Sequence, residues 1–216
     1  VKASDALTSQ LVDNTGSLIA DGGTIAMTAA AGREMVDSLV HVGGELRANA
    51  VGVKQGRILI YAEGANAVAG NIAADKGKKT GMSRVVIDGT LDVSSARNCS
   101  LVWVGCIGGG GVVHVGGQYL GQGVTPTALN LVMQTGALIQ ANGTVNGSGG
   151  EVILYADNST QFGGRIEANG EGNGNGGFVE TSGRVALLAY GNVSATTRRG
   201  RKGTWLMDPG DIEITN

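Results

Sequence analysis

Two histidines, two cysteines and a scatter of carboxylates have the widest chemical repertoire in this chain. His41 and His114 each stand in a Val-His-Val-Gly-Gly pentapeptide, at 40–44 and 113–117, so on extended strands they share one phase. A functional reading makes them a metal-binding or pH-sensing pair on one face. They lie too far apart in sequence for adjacent turns of a repeat, and the reading adopted is two positions of one repeat that tolerate histidine. Cys99 and Cys106 lie seven positions apart in the segment NCSLVWVGC. A regular strand sends residues so spaced to opposite faces, so a bridge needs a bulge or hairpin between them. Both a small disulfide-closed loop and two buried small hydrophobes stand as readings, and no neighbouring ligands have metal-site spacing. Asp88, Asp92 and Asp157 are the carboxylates that a polysaccharide-cleaving outer face would use, although turn and surface carboxylates are the commoner case. Gly-x-Ser-x-Gly, His-Glu-x-x-His and Walker patterns do not occur. The chain is therefore read as a non-enzyme with no catalytic, cofactor or metal residues. Asn-x-Ser/Thr triplets at Asn98, Asn142, Asn146, Asn158 and Asn192 are candidate glycosylation sites, of a kind that Asn/Ser/Gly-rich turns also generate by composition alone.

The elements that must carry these residues are strands. Among 216 residues, 42% are hydrophobic and 16% charged, which indicates an ordered chain despite 39 glycines. With only two prolines and no Gly-X-Y period, collagen is excluded. Aromatics are only 4%, so the core must consist of small aliphatic layers. A net charge of −2 argues against nucleic acid as a partner, and the basic run Arg198, Arg199, Arg201, Lys202 reads as a solvated turn. No apolar run reaches membrane-span length, and the first residues, VKASDALTSQ, lack a secretory-signal pattern.

The stretch 149–183 shows the building unit nearly twice: an alternating strand after a glycine pair, a polar turn at 157–161, a short strand at 165–168, a Gly/Asn turn, and a new cycle at Phe178. Such a unit of about 27 residues is too short for a domain and suits one turn of a β-solenoid. One strand type recurs as GSLIA, GELRA, GNIAA, GTLDV, GALIQA, GRIEA and GNVSA, starting at Gly16, Gly44, Gly70, Gly89, Gly136, Gly164 and Gly191. A second recurs as TIAMT, RILIYA, RVVID, VVHV, EVILYA and FVETS, from Thr24, Arg57, Arg84, Val112, Glu151 and Phe178. The prediction is an all-β parallel β-helix over 16–216, with seven or eight coils. Residues 1–15 form a lead-in in which Ser4 could cap a short helix bearing Leu7 and Leu11. Insertions at 29–40 and 118–134 should project as loops and offer contact surfaces. The segment 170–178 lacks the spaced aspartates of a calcium repeat and reads as a flexible corner.

GGFVETSG (176–183) followed by GTWLMDPGDIEIT (203–215) resembles the paired signature of filamentous haemagglutinin and high-molecular-weight adhesin type exoproteins of bacterial two-partner secretion systems. The segments VKASDALTSQLVDNTGSLIADGG, VHVGGELRA, VHVGGQYLGQG and GGEVILYADNSTQFGGRIEANG are also similar to that family's repeats, so the resemblance spans the chain. It implies a right-handed parallel β-helix and export through an outer-membrane transporter partner. It also implies a place at the surface of a Gram-negative bacterium, in attachment, aggregation or matrix. Glycosylation of the sequons and a Cys99–Cys106 disulfide would fit an exported member, although the cysteines match no motif of the family. The family's export signal and secretion domain have no counterpart in these residues, so an internal fragment is expected. The receptor would be a host-cell, matrix or neighbouring-cell ligand. The alternatives are a structural stalk that self-associates end to end, and further off a haem-carrier, a host-protein binder or a polysaccharide-active enzyme.

Overall fold

The computed structural model describes residues 9–29, 37–49, 55–62, 83–95 and 107–210. They build a parallel β-solenoid of six coils with three strands each. The first coil is β1 (Ser9–Asn14), β2 (Ser17–Ile19) and β3 (Thr24–Ala29); the second is β4 (Asp37–Val42), β5 (Glu45–Arg47) and β6 (Arg57–Ala62). The third holds β7 (Ser83–Ile87), β8 (Thr90–Asp92), β9 (Ile107–Gly108) and β10 (Val112–Val115). The fourth holds β11 (Asn130–Met133), β12 (Leu138–Gln140), β13 (Thr144–Val145) and β14 (Glu151–Ala156). The fifth is β15 (Ser159–Phe162), β16 (Arg165–Glu167) and β17 (Phe178–Gly183), and the sixth β18 (Ala186–Ala189), β19 (Asn192–Ser194) and β20 (Thr204–Met207). The first strands of the coils stack as sheet 1, the second as sheet 2 and the last as sheet 3, each 6-stranded, while β9 and β13 pair antiparallel beside them. At about 4.8 Å per step, the first and last coils stand roughly 24 Å apart.

In-register stacking makes the core a set of like-on-like rows. In sheet 2, Leu46, Leu91, Ile139 and Ile166 lie directly over one another, all fully buried. In sheet 3, Ile58, Val113, Val152 and Val179 form one row and Ile60, Val115, Leu154 and Thr181 the next. Each buried aliphatic side chain contributes about 1.5–3 kcal/mol by leaving water. The glycine immediately before each sheet 3 strand has a steric role, clearest at Gly150, where a Cβ would come within 2.0 Å of the Gly111 carbonyl oxygen of the coil below. No side chain fits a corner this tight.

Several expectations change. Six coils lie among the described residues; the expected seven or eight counted the repeat at Gly70, which falls outside them. The polar segment read as a turn at 157–161 contains most of β15, and RVVID belongs to sheet 1 as β7 rather than to the series of TIAMT and EVILYA. Leu11 lies in β1, paired with Leu39 of β4, so a helix is excluded there, since neighbouring-strand pairing outweighs a weak helical spacing. Ser4, Leu7 and the GNIAA repeat at Gly70 lie outside the described residues. Of the proposed insertion 118–134, Asn130–Met133 is strand β11. Of 29–40, Ala29 closes β3 and residues 37–40 belong to β4, the remainder lying outside the described residues.

Candidate functional site

The connection between β10 and β11, residues 116–128, is the most elaborate described feature outside the coils. Its base is closed by Ala128 N–H donating to the Gly116 carbonyl at 2.7 Å, which makes it an Ω-loop. It lies flat on the outer face of sheet 3 rather than projecting. Tyr61, Ile153 and Tyr155 point outward from that sheet yet are buried, at 5%, 1% and 5% exposure. Gly117 and Gly121 sit so close to the Tyr155 side chain that a Cβ on either would overlap it. Tyr119 packs edge-on against Phe178 with ring centroids 5.8 Å apart. The loop thus closes a second, external hydrophobic layer, in which burial raises the pKa values of Tyr61 and Tyr155.

Glu180 anchors this loop. Its carboxylate, fully buried in β17, accepts the Leu120 amide at 3.1 Å and 3.2 Å through its two oxygens. Burial pushes its pKa up, and the Leu120 amide pulls the other way. Leu120 has φ 53, a left-handed conformation that costs a non-glycine residue free energy and persists only where its surroundings hold it. Thr127 donates from its hydroxyl to Asp157 at 2.5 Å and fixes the far limb. Beyond these anchors the tip is presented to solvent, with Val124 fully exposed. The sequence marked this segment by its extra length. Glu180 was not singled out, because a lone glutamate in FVETS carries no signal until the loop above it is placed.

The two histidines occupy different sheets, so they are not equivalent positions of one repeat. His41 in β4 bridges three coils of sheet 1: Nδ1 lies 2.8 Å from Asp13 and Nε2 3.2 Å from Asp88. Burial lowers its pKa, but the hydrogen bonds to Asp13 and then Asp88, together with their charges, outweigh it and the net shift is upward. His114 in β10 on sheet 3 places Nε2 2.6 Å from Glu151, and this bond holds the Glu151 carboxyl below its usual range. Asp92 instead accepts the Ser94 amide at 2.9 Å beside sheet 2. Asp88, Asp92 and Asp157 are therefore each engaged locally and do not converge on one site.

The sequon asparagines divide by environment. Asn146, Asn158 and Asn192 are exposed, and Asn142 is half-buried with its amide donating to Glu167 at 3.2 Å. Asn158 donates to Asn130 at 2.9 Å, which ties neighbouring coils. Asn142 also accepts the Asn169 amide, and Asn169 accepts the Thr196 amide, each at 2.9 Å, in a ladder up the corner after sheet 2. Asn98, Cys99 and Cys106 lie outside the described residues. The corner 170–178 is tied rather than loose: Asn175 receives the Arg201 amide at 2.9 Å and donates its own to Ser148 at 3.0 Å.

A shallow groove of about 670 Å³ follows the stacked glycine pairs, with Arg201 and Lys202 at its last coil. The Gly110, Gly149 and Gly176 amides are already donated to Ser148, Asn175 and Arg201 of the next coil, so they are not offered to an added strand. Among the described residues no three His, Cys, Asp or Glu side chains are placed to hold a metal ion, and no helix is long and apolar enough to cross a membrane. In comparison with known proteins, the chain matches no family model and no curated protein.

Proposed function

We propose that this chain is a β-solenoid segment of an exported bacterial surface adhesin, in which the Ω-loop 116–128 makes the contact. The carrying observation is that loop's construction. A strained backbone at Leu120, a buried carboxylate beneath it and an aromatic base together fix an uncharged segment, Gln122 to Pro126, against a stiff scaffold with Val124 open to solvent. A loop positioned by a rigid frame is where binding is usually built. The tip has no charge, so shape and apolar contact would drive recognition of a host-cell, matrix or neighbouring-cell ligand. Export through a two-partner outer-membrane transporter belongs to the same reading, supported by the GGFVETSG and GTWLMDP segments.

The test replaces residues 118–126 with a short Gly/Ser linker and measures attachment of cells displaying the protein, with circular dichroism as the control for the β-fold. Attachment should drop to background while the β signal is kept. Unchanged attachment with an intact fold would refute the contact role. A stalk without a ligand of its own is the second reading, favoured by the in-register stacking of all three sheets from coil to coil.

A further inference from the structure

Five Asn-Gly pairs cluster between 142 and 176: Asn142-Gly143, Asn146-Gly147, Asn169-Gly170, Asn173-Gly174 and Asn175-Gly176. Asparagine before glycine is the sequence most prone to deamidation, because glycine leaves the following backbone nitrogen unhindered. That nitrogen loses its proton and attacks the asparagine Cγ, the bond from Cγ to the side-chain nitrogen breaks, and ammonia leaves with a proton from solvent. Water then opens the cyclic imide to aspartate or isoaspartate. The only co-reactant is water. The reaction needs two freedoms: a glycine N–H released from its acceptor, and a side chain able to swing onto it.

In the solenoid these freedoms are distributed unequally. The Gly143, Gly170 and Gly176 amides each donate to the next coil, to Asn169 at 2.7 Å, Thr196 at 2.8 Å and Arg201 at 2.8 Å. Their asparagines are held as well, because Asn142, Asn169 and Asn175 each accept a backbone amide of the next coil at 2.9 Å. Attack there requires two coils to separate. The Gly147 and Gly174 amides instead close local turns, onto Thr144 at 2.8 Å and Glu171 at 2.9 Å. Of those two asparagines, Asn146 still accepts the Asn173 amide, at 3.2 Å. Asn173 is exposed, follows Gly172 at φ +59, and makes no side-chain hydrogen bond among the described residues.

We infer that Asn173 is the deamidation site of the folded protein, and that coil stacking silences Asn142, Asn169 and Asn175 until the chain unfolds. An opening cost of about 1.4 kcal/mol already slows attack about tenfold. A chain held unfolded therefore accumulates isoaspartate at ladder positions. The extra backbone atom there shifts every later residue against the coil below.

Peptide mapping with isoaspartate detection tests this on the full chain, incubated in mildly alkaline buffer with and without urea. In the folded protein, Asn173 should convert at least about tenfold faster than Asn142, Asn169 and Asn175, while in urea all five should convert at similar rates. Substitution Asn173→Ala should remove the fast conversion and leave the circular dichroism spectrum unchanged. Equal rates at Asn173 and Asn169 in the folded protein would overturn the assignment, as would ladder rates that urea does not change. Neither readout depends on attachment, so this inference and the adhesin reading fail separately.

Discussion

His41 shows how one residue can act across three coils. A neutral imidazole carries one N–H and can donate to Asp13 or to Asp88, whereas the imidazolium donates to both. Its pKa is raised in the folded chain, so the stabilisation is complete below the unfolded value of about 6.5 and is lost as pH rises through the folded value. Thermal unfolding followed from mildly acidic to mildly alkaline pH should show the wild type losing stability relative to His41→Gln. The effect should not exceed about 1 kcal/mol, because both carboxylates are substantially exposed. A difference that stays constant with pH would contradict the clamp. At this scale the sequence was partly legible. Both histidines were found by type, but pairing them by the shared pentapeptide put them in one repeat position. Local identity does not determine which sheet a strand joins; that depends on the count of residues in the turns between, and the structure sets His41 on sheet 1 and His114 on sheet 3.

Among the elements, the Ω-loop is held at its left-handed turn by one buried carboxylate, Glu180. Replacing Glu180 by alanine leaves the Leu120 amide without its acceptor beneath the loop, a loss of about 1–3 kcal/mol. Hydrogen exchange should show the amides of residues 117–127 opening faster while those of β12 and β14 hold their protection. Unaltered exchange at Leu120 would show that the aromatic contacts suffice to hold the loop. The glycine-led strands of sheet 2 were legible because most carry one inward aliphatic flanked by polar residues after a corner glycine, as in GRIEA. Sheet 1 was less so, since STQF and SQLVDN are polar enough to pass for turns. They are strands because neighbouring coils pair with them, aided by bonds such as Ser159 to Asn130 at 2.8 Å.

For the molecule as a whole, the row-upon-row core means that every coil rests only on its neighbours. Central strands such as β12 are paired on both sides, whereas β2 and β19 have one partner each. Leu18 is accordingly 43% exposed, in the same row as the fully buried Leu46. Amide exchange should therefore be slowest in coils three to five and faster in the first and last coils, and a uniform profile would point to all-or-none unfolding instead. The parallel stacking also has a mechanical consequence. The inter-coil hydrogen bonds run along the rod axis, so a pull on the two ends loads the bonds between one pair of coils at a time, across three sheets together. Such a rod should yield in successive steps, peeling a coil from its end under tension, and lengthen in small increments while the remainder stays wound.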